Sequence, residues 1–162
     1  MSVALNAFEV FEIAGQIERN GAKFYRKAAE LLNEPDIQNM FLELADWETR
    51  HEQIFNDMGK QLSKPNKNSK VFGLEKKLLD PKLMACLAIF GTGGEPVHRL
   101  RSVENTAEVL KRAIEKEKDS MTFYEGLKDF VSTSDDKNKV DDIIEEEIRH
   151  IKILSQALKQ RE

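Results

Sequence analysis

The chain holds a single cysteine, Cys86, among 162 residues. One thiol can make neither an internal disulfide nor a cysteine-rich metal site, so a reducing cytoplasm is the expected compartment. Glycine and proline are scarce, at eight and four, while 40% of the residues are hydrophobic and 33% charged. That balance suits a soluble, mostly helical protein. No basic-then-apolar leader opens the chain, so secretion is not expected. The most apolar run, "LMACLAIF", is far too short to span a bilayer, and no membrane partner is expected. A net charge of -4 lacks the basic footprint of a nucleic-acid binder. The length suits one domain over residues 1–162.

What the sequence does have is a repeat at an offset of 99 residues. Asn6 pairs with Asn105, Glu9 with Glu108, Ala14 with Ala113 and Glu18 with Glu117. Phe24-Tyr25 pairs with Phe123-Tyr124, Asp36 with Asp135, Glu48 with Glu147, and Arg50-His51 with Arg149-His150. Residues 6–61 and 105–160 align without a gap. The chain reads as two copies of one helical hairpin.

Each copy carries helix punctuation. Asn6-x-x-Glu9 and Asn105-x-x-Glu108 have the form of capping boxes. "NEPD" (33–36) breaks the first long helix at a proline that can open the next, and "STSDD" (132–136) supplies capping hydroxyls and carboxylates at the same place in the second copy. Helices are expected near 6–32, 36–61, 105–131 and 135–160, antiparallel within each hairpin. The segment 62–104 differs in kind: "SKPNKNSK" and "GTGGEP" are loop-like, and "LEKKLLDPKLMACLAIF" between them has the makings of one or two short helices. So long a link suits a bundle with one crossover rather than an up-down-up-down one.

The apolar stripes of all four helices are interrupted. In the second helix Ile37, Phe41, Leu44, Glu48, His51, Phe55, Met58 and Leu62 share a face, and in the fourth Val140, Ile143, Glu147, His150, Leu154 and Ala157 do. The first places Glu18 among Phe11, Ala14, Ala22, Tyr25 and Ala29. The third places Glu117 among Leu110, Ile114, Met121 and Tyr124. Four buried carboxylates without partners would be too costly to tolerate. Residues three apart share a helix face, so each Glu-x-x-His can aim at one point. Four carboxylates and two imidazoles match two divalent cations, and oxygen with imidazole but no thiolate suits iron or manganese. One Glu from each of two helices plus a Glu-x-x-His from each of the others is the ligand pattern of dinuclear iron and manganese bundles. A plain bundle with Glu and His on stripe edges would leave the shared offset unexplained.

Spacing selects Glu147 over Glu145 and Glu146, and Glu117 over Glu115. Glu52, Glu145 and Glu146 are expected as solvated helix-face charges. Tyr25 and Tyr124 lie about two turns beyond Glu18 and Glu117, each stacked above its own ligand, and read equally as a hydrogen-bond partner of a ligating carboxylate or as aromatic filler. Trp47 points off the stripe and is assigned to packing. His98 is expected at the surface, and Cys86 as a small buried apolar residue.

"QIERNGAKFYRKAAE", "LADWETRHEQIF", "AIEKEKDSMTFYEGL" and "IIEEEIRHIKIL" resemble the four helices of rubrerythrin-like members of the ferritin-like superfamily. The resemblance covers about two-thirds of the chain, everything but the connector. It implies an all-α ferritin-like four-helix bundle of two repeated hairpins joined by one long crossover. It also implies a di-iron centre bridged by Glu48 and Glu147, with Glu18 and Glu117 as terminal carboxylates and His51 and His150 as nitrogen ligands. Two departures stand out. Rubrerythrins proper carry a C-terminal rubredoxin domain with four cysteines, whereas this sequence ends at Glu162 with one Cys, so a separate electron donor such as a rubredoxin is expected. An extra helix-3 glutamate common in rubrerythrins is replaced here by Ile114, which leaves a symmetric site closer to the ferritin or bacterioferritin pattern.

The function expected from this resemblance is reduction of hydrogen peroxide or oxygen in the cytoplasm, with catalysis through the metals and with Tyr25 and Tyr124 beside them. The rivals are ferritin-like iron oxidation and storage, iron sensing or delivery without turnover, and a di-manganese catalase-like site. A homodimer is expected by family analogy. Lys64, Lys67, Lys70, Lys76 and Lys77 of the connector either dock an acidic donor or form a solvated loop.

Overall fold

The structure, a computed structural model, describes residues 7–62 and 105–161. The expected Asn6 cap, the crossover, Cys86, His98 and the five connector lysines lie outside the described residues. Helix α1 is Ala7–Leu31 and α2 is Pro35–Gln61. Helix α3 is Thr106–Leu127, followed by a 3-10 turn over Lys128–Phe130, and α4 is Ser134–Lys159. Pro35 opens α2 at its first turn, where a missing N–H costs nothing. Asn105 caps α3 by accepting from the Glu108 N–H at 2.9 Å, and Thr133 caps α4 by accepting from the Asp136 N–H at 3.1 Å. Helix α3 ends about a turn earlier than expected. Gly126 in its last turn weakens the α-helix, and the tighter 3-10 turn common at helix ends follows it.

Every stripe residue expected inside is buried except Leu62 and Met121, which are partly so. The core falls into two apolar plugs. One gathers Tyr25, Leu32, Ile37 and Phe41 of hairpin one with Val109, Leu110, Leu154 and Ala157. The other gathers Val10, Phe11, Phe55 and Met58 with Tyr124, Leu127, Val140 and Ile143. Burying each of the larger side chains stabilises the fold by about 1.5–3 kcal/mol.

The plugs also fix the topology. The end of α1 shares a plug with the start of α3, and the start of α2 with the end of α4, so α3 runs antiparallel to α1 and α4 to α2. Helix α2 therefore ends at one pole of the bundle and α3 begins at the other, about 40 Å away at 1.5 Å per residue. In this up-down-down-up order an ordinary turn could not join two helix ends so far apart. At the pole where α3 begins, Glu34 binds the hairpins together. Its carboxylate accepts from Thr106 Oγ1 and Arg161 Nη2, both at 2.5 Å. The bonds from Arg161 and Thr106 lower the Glu34 pKa.

Candidate metal centre

Between the two plugs lies a polar layer. Glu18, Glu48, His51, Glu117, Glu147 and His150 are each no more than 3% exposed. All six residues expected as ligands thus meet in one place. They form two overlapping groups, Glu18 with Glu48, His51 and Glu147, and Glu48 with Glu117, Glu147 and His150. Within each group the donor atoms lie within 4.8 Å of one another. Glu48 and Glu147 belong to both. The two oxygens of Glu147 are divided between the histidines, Oε1 at 2.9 Å from His51 Nδ1 and Oε2 at 3.2 Å from His150 Nδ1. His51 Nδ1 also lies 3.5 Å from Glu18, and His150 Nδ1 lies 3.4 Å from Glu48 and 3.5 Å from Glu117.

Close approach is not full satisfaction. Glu18 Oε2, Glu48 Oε1, His51 Nδ1, Glu117 Oε2 and Glu147 Oε1 are buried without an aligned hydrogen-bond partner. Each such atom carries an uncompensated desolvation cost, and all five belong to the convergent donor set. A divalent cation in each group would take up these lone pairs and their charge. The residues present therefore fit two metal ions held by oxygen and imidazole nitrogen.

The protonation pattern of the layer's own groups shows the same tension. Burial and the surrounding carboxylates hold Glu48 well above the usual carboxylate range and push Glu147 up to about 8. Burial also acts to raise Glu117, but bonds from Glu147, His150 and Tyr25 outweigh it and lower this group. Burial disfavours charge on the histidines, yet Glu18 and Glu147 hold His51 at about 12, and Glu117, Glu147 and Glu48 raise His150 likewise. Protons do, in effect, part of the work of cations.

The tyrosines touch the layer in a manner that helix spacing does not anticipate. Each was expected above the glutamate of its own helix. Instead Tyr25 of α1 donates to Glu117 of α3, and Tyr124 of α3 donates to Glu18 of α1 at 2.5 Å. Because α1 and α3 are antiparallel, each ring lies two turns away on its own helix but leans over the facing one. Both tyrosines are fully buried, so desolvation and the nearby carboxylates keep their phenols protonated donors.

Glu146 corrects another expectation. It is not a free helix-face charge, since His51 Nε2 donates to its Oε2 at 2.6 Å and its side chain is 26% exposed. A carboxylate on the far nitrogen of a ligand-type imidazole fixes the ring and its tautomer. Glu52 is likewise engaged, accepting from Arg19 Nε at 2.7 Å, whereas Glu145 is exposed. Trp47, assigned to packing, lies against both imidazoles, with ring centroids 6.5 Å from His51 and 6.4 Å from His150. Its outer face carries the Arg50 guanidinium, 4.5 Å from the ring centre.

Small residues make room for the layer. A Cβ on Gly21 would stand 2.6 Å from Glu48 Oε2.

The Rubrerythrin family model matches residues 9–83 of this chain. A Thermotoga maritima protein, described as a candidate ferritin-like diiron-carboxylate protein, aligns over 100% of both chains with a TM-score of 0.73 and 27% sequence identity. The fold is ferritin-like. The chain is similar in sequence to the Rubrerythrin family over that stretch, and in fold to the ferritin-like protein. No curated protein matches it. Among the described residues no helix is long and apolar enough to cross a membrane.

Proposed function

We propose that the protein is a di-iron carboxylate oxidoreductase that reduces hydrogen peroxide, or oxygen, with electrons from a separate donor. The observation that carries this reading is the pair of four-donor groups sharing Glu48 and Glu147, with five of their buried atoms lacking an aligned hydrogen-bond partner. Glu18, Glu48, His51 and Glu147 would hold one iron, and Glu48, Glu117, Glu147 and His150 the other. Manganese would satisfy the same donors. A pair of irons held there would supply two electrons, enough with two protons to reduce peroxide to two waters, and a separate donor, a rubredoxin-like protein or small reductant, would restore them. Around that chemistry the protein's own part is mostly positional. The apolar plugs exclude bulk water from both poles, and Tyr25 and Tyr124 orient Glu117 and Glu18 by donating to them. A cytoplasmic homodimer is the form we expect, and solution mass tests it.

The experiment is rapid mixing of anaerobic, iron-loaded protein with peroxide and, separately, with dissolved oxygen, followed by the absorbance of the oxidised centre. Fast oxidation by peroxide with slow oxidation by oxygen supports the reading. A second reading, iron oxidation and storage, is favoured by one observation, the matching sets of two carboxylates and one imidazole contributed by the two hairpins. Preference for oxygen, with uptake continuing beyond two irons per chain, would establish that reading instead.

A further inference from the structure

The repeat that places the ligands does not place their supports. Position 146 corresponds to position 47 at the offset of 99, and the two hold Glu and Trp. Glu146, on α4, accepts from Nε2 of His51 on α2 at 2.6 Å. The symmetric bond would run from position 47 on α2 to Nε2 of His150 on α4. There the chain has an indole, its ring centroid 6.4 Å from that of His150. Among the described residues no carboxylate stands on Nε2 of His150, although its Nδ1 faces three of them. An indole has no acceptor to offer an imidazole N–H.

Resting on the di-metal reading above, we propose that the two metal positions are unequal, and that Glu146 makes the position of Glu18, Glu48, His51 and Glu147 the tighter one. A carboxylate on Nε2 locks the imidazole with Nδ1 toward the metal and strengthens Nδ1 as a donor. Among the described residues, His150 is oriented by the carboxylates at its Nδ1 and by packing beside Trp47 and His51, with the two imidazole centroids 5.8 Å apart. Glu146 is a positioning residue: it acts on the metal through His51. The first metal to arrive therefore occupies the Glu18–His51 side, and the second completes the pair.

The test is an anaerobic titration of metal-free protein with Co(II), read by calorimetry and by the visible bands of the bound ion. Two classes of site are expected, separated by about 10–100-fold in affinity, the range typical when such a support is lost. Glu146→Gln should weaken the first class by a similar factor and alter its visible spectrum, and Glu146→Asp should restore both. Trp47→Glu should tighten the second class and narrow the gap. Glu18→Gln should abolish the tight class and Glu117→Gln the weak one, which assigns each class to its side. Two metals binding with equal affinity would overturn the proposal while leaving the di-metal reading intact. So would a Glu146→Gln protein whose first class is unchanged in affinity and spectrum. Failure to bind two metals at all would overturn the di-metal reading, and this inference with it.

Discussion

Hairpin one and hairpin two deliver the same three ligand types in the same register, yet they surround them differently. Glu18, Glu48 and His51 recur as Glu117, Glu147 and His150, and all six are buried in one layer. Beside them, Gly21 faces Glu48 in the first copy, where Ser120 stands in the second, and Trp47 answers to Glu146. The aromatic walls are unequal too, since Phe41 stacks on Tyr25 and Phe55 packs on Tyr124, both from α2. Metal coordination constrains the donor atoms most strictly, because a missing ligand leaves a buried charge unmatched. The supporting residues are under looser control and have diverged.

The largest effects should come from breaking the shared carboxylates. Glu147→Ala and Glu48→Ala each remove a donor from both groups, so both should lose both metals. Glu18→Ala and Glu117→Ala should each lose one. Metal content of anaerobically loaded, desalted protein separates the cases. If Glu147→Ala still held two ions, the shared role would be wrong.

Next in size is a pH effect confined to the metal-free protein. Glu147 is raised to about 8 in the folded chain, so between the ordinary carboxylate range and pH 8 the folded state keeps a proton that the unfolded state has lost. His51, held at about 12, has the same sign above its ordinary range. Stability then falls as pH rises. The melting temperature in EDTA should drop by several degrees between pH 6 and 9, while the metal-loaded protein, whose cations replace those protons, should show a much flatter profile.

Smaller again is the effect at Gly21. Gly21→Ala should weaken metal binding by displacing Glu48, by about tenfold, an effect comparable to loss of an outer support. It should leave the metal-free fold as stable or more so, since Ala is favoured over Gly in a helix by about 0.5–1 kcal/mol. Ser120→Ala, at the matching place, should change metal affinity little. Calorimetric titration and urea unfolding of the two variants make that comparison directly. The smallest differences should lie between Tyr25→Phe and Tyr124→Phe. Each removes one donor to the opposite hairpin, and each should cost about 1–3 kcal/mol in unfolding of the loaded protein. A large disparity would show that the crossed bonds are not equivalent.

The stripes were legible in the sequence because a helix has one period. Ile37 through Met58 and Val140 through Ala157 could be placed on one face each, with the interrupting Glu and His among them, and the shared offset carried this to both copies. What no single helix encodes is which residue it meets across the bundle. The crossed bonds of Tyr25 and Tyr124 depend on α1 and α3 running antiparallel. That follows from which helix ends share an apolar plug and not from the seven-residue spacing. Glu146 departs from the expected solvated place for a related reason. One step from Glu147 it turns off its own stripe, but that flank of α4 faces His51 on α2. Its signal was present as the Glu–Trp mismatch at positions 146 and 47, visible once the copies are set side by side.

The central claim, two metals sharing two carboxylates, is tested most directly by a crystal structure of the iron-loaded protein with anomalous data at the iron edge. Two peaks should appear within the polar layer, both bound by Glu48 and Glu147, one also by Glu18 and His51, the other by Glu117 and His150. A single peak, or peaks that do not share those two carboxylates, would contradict it.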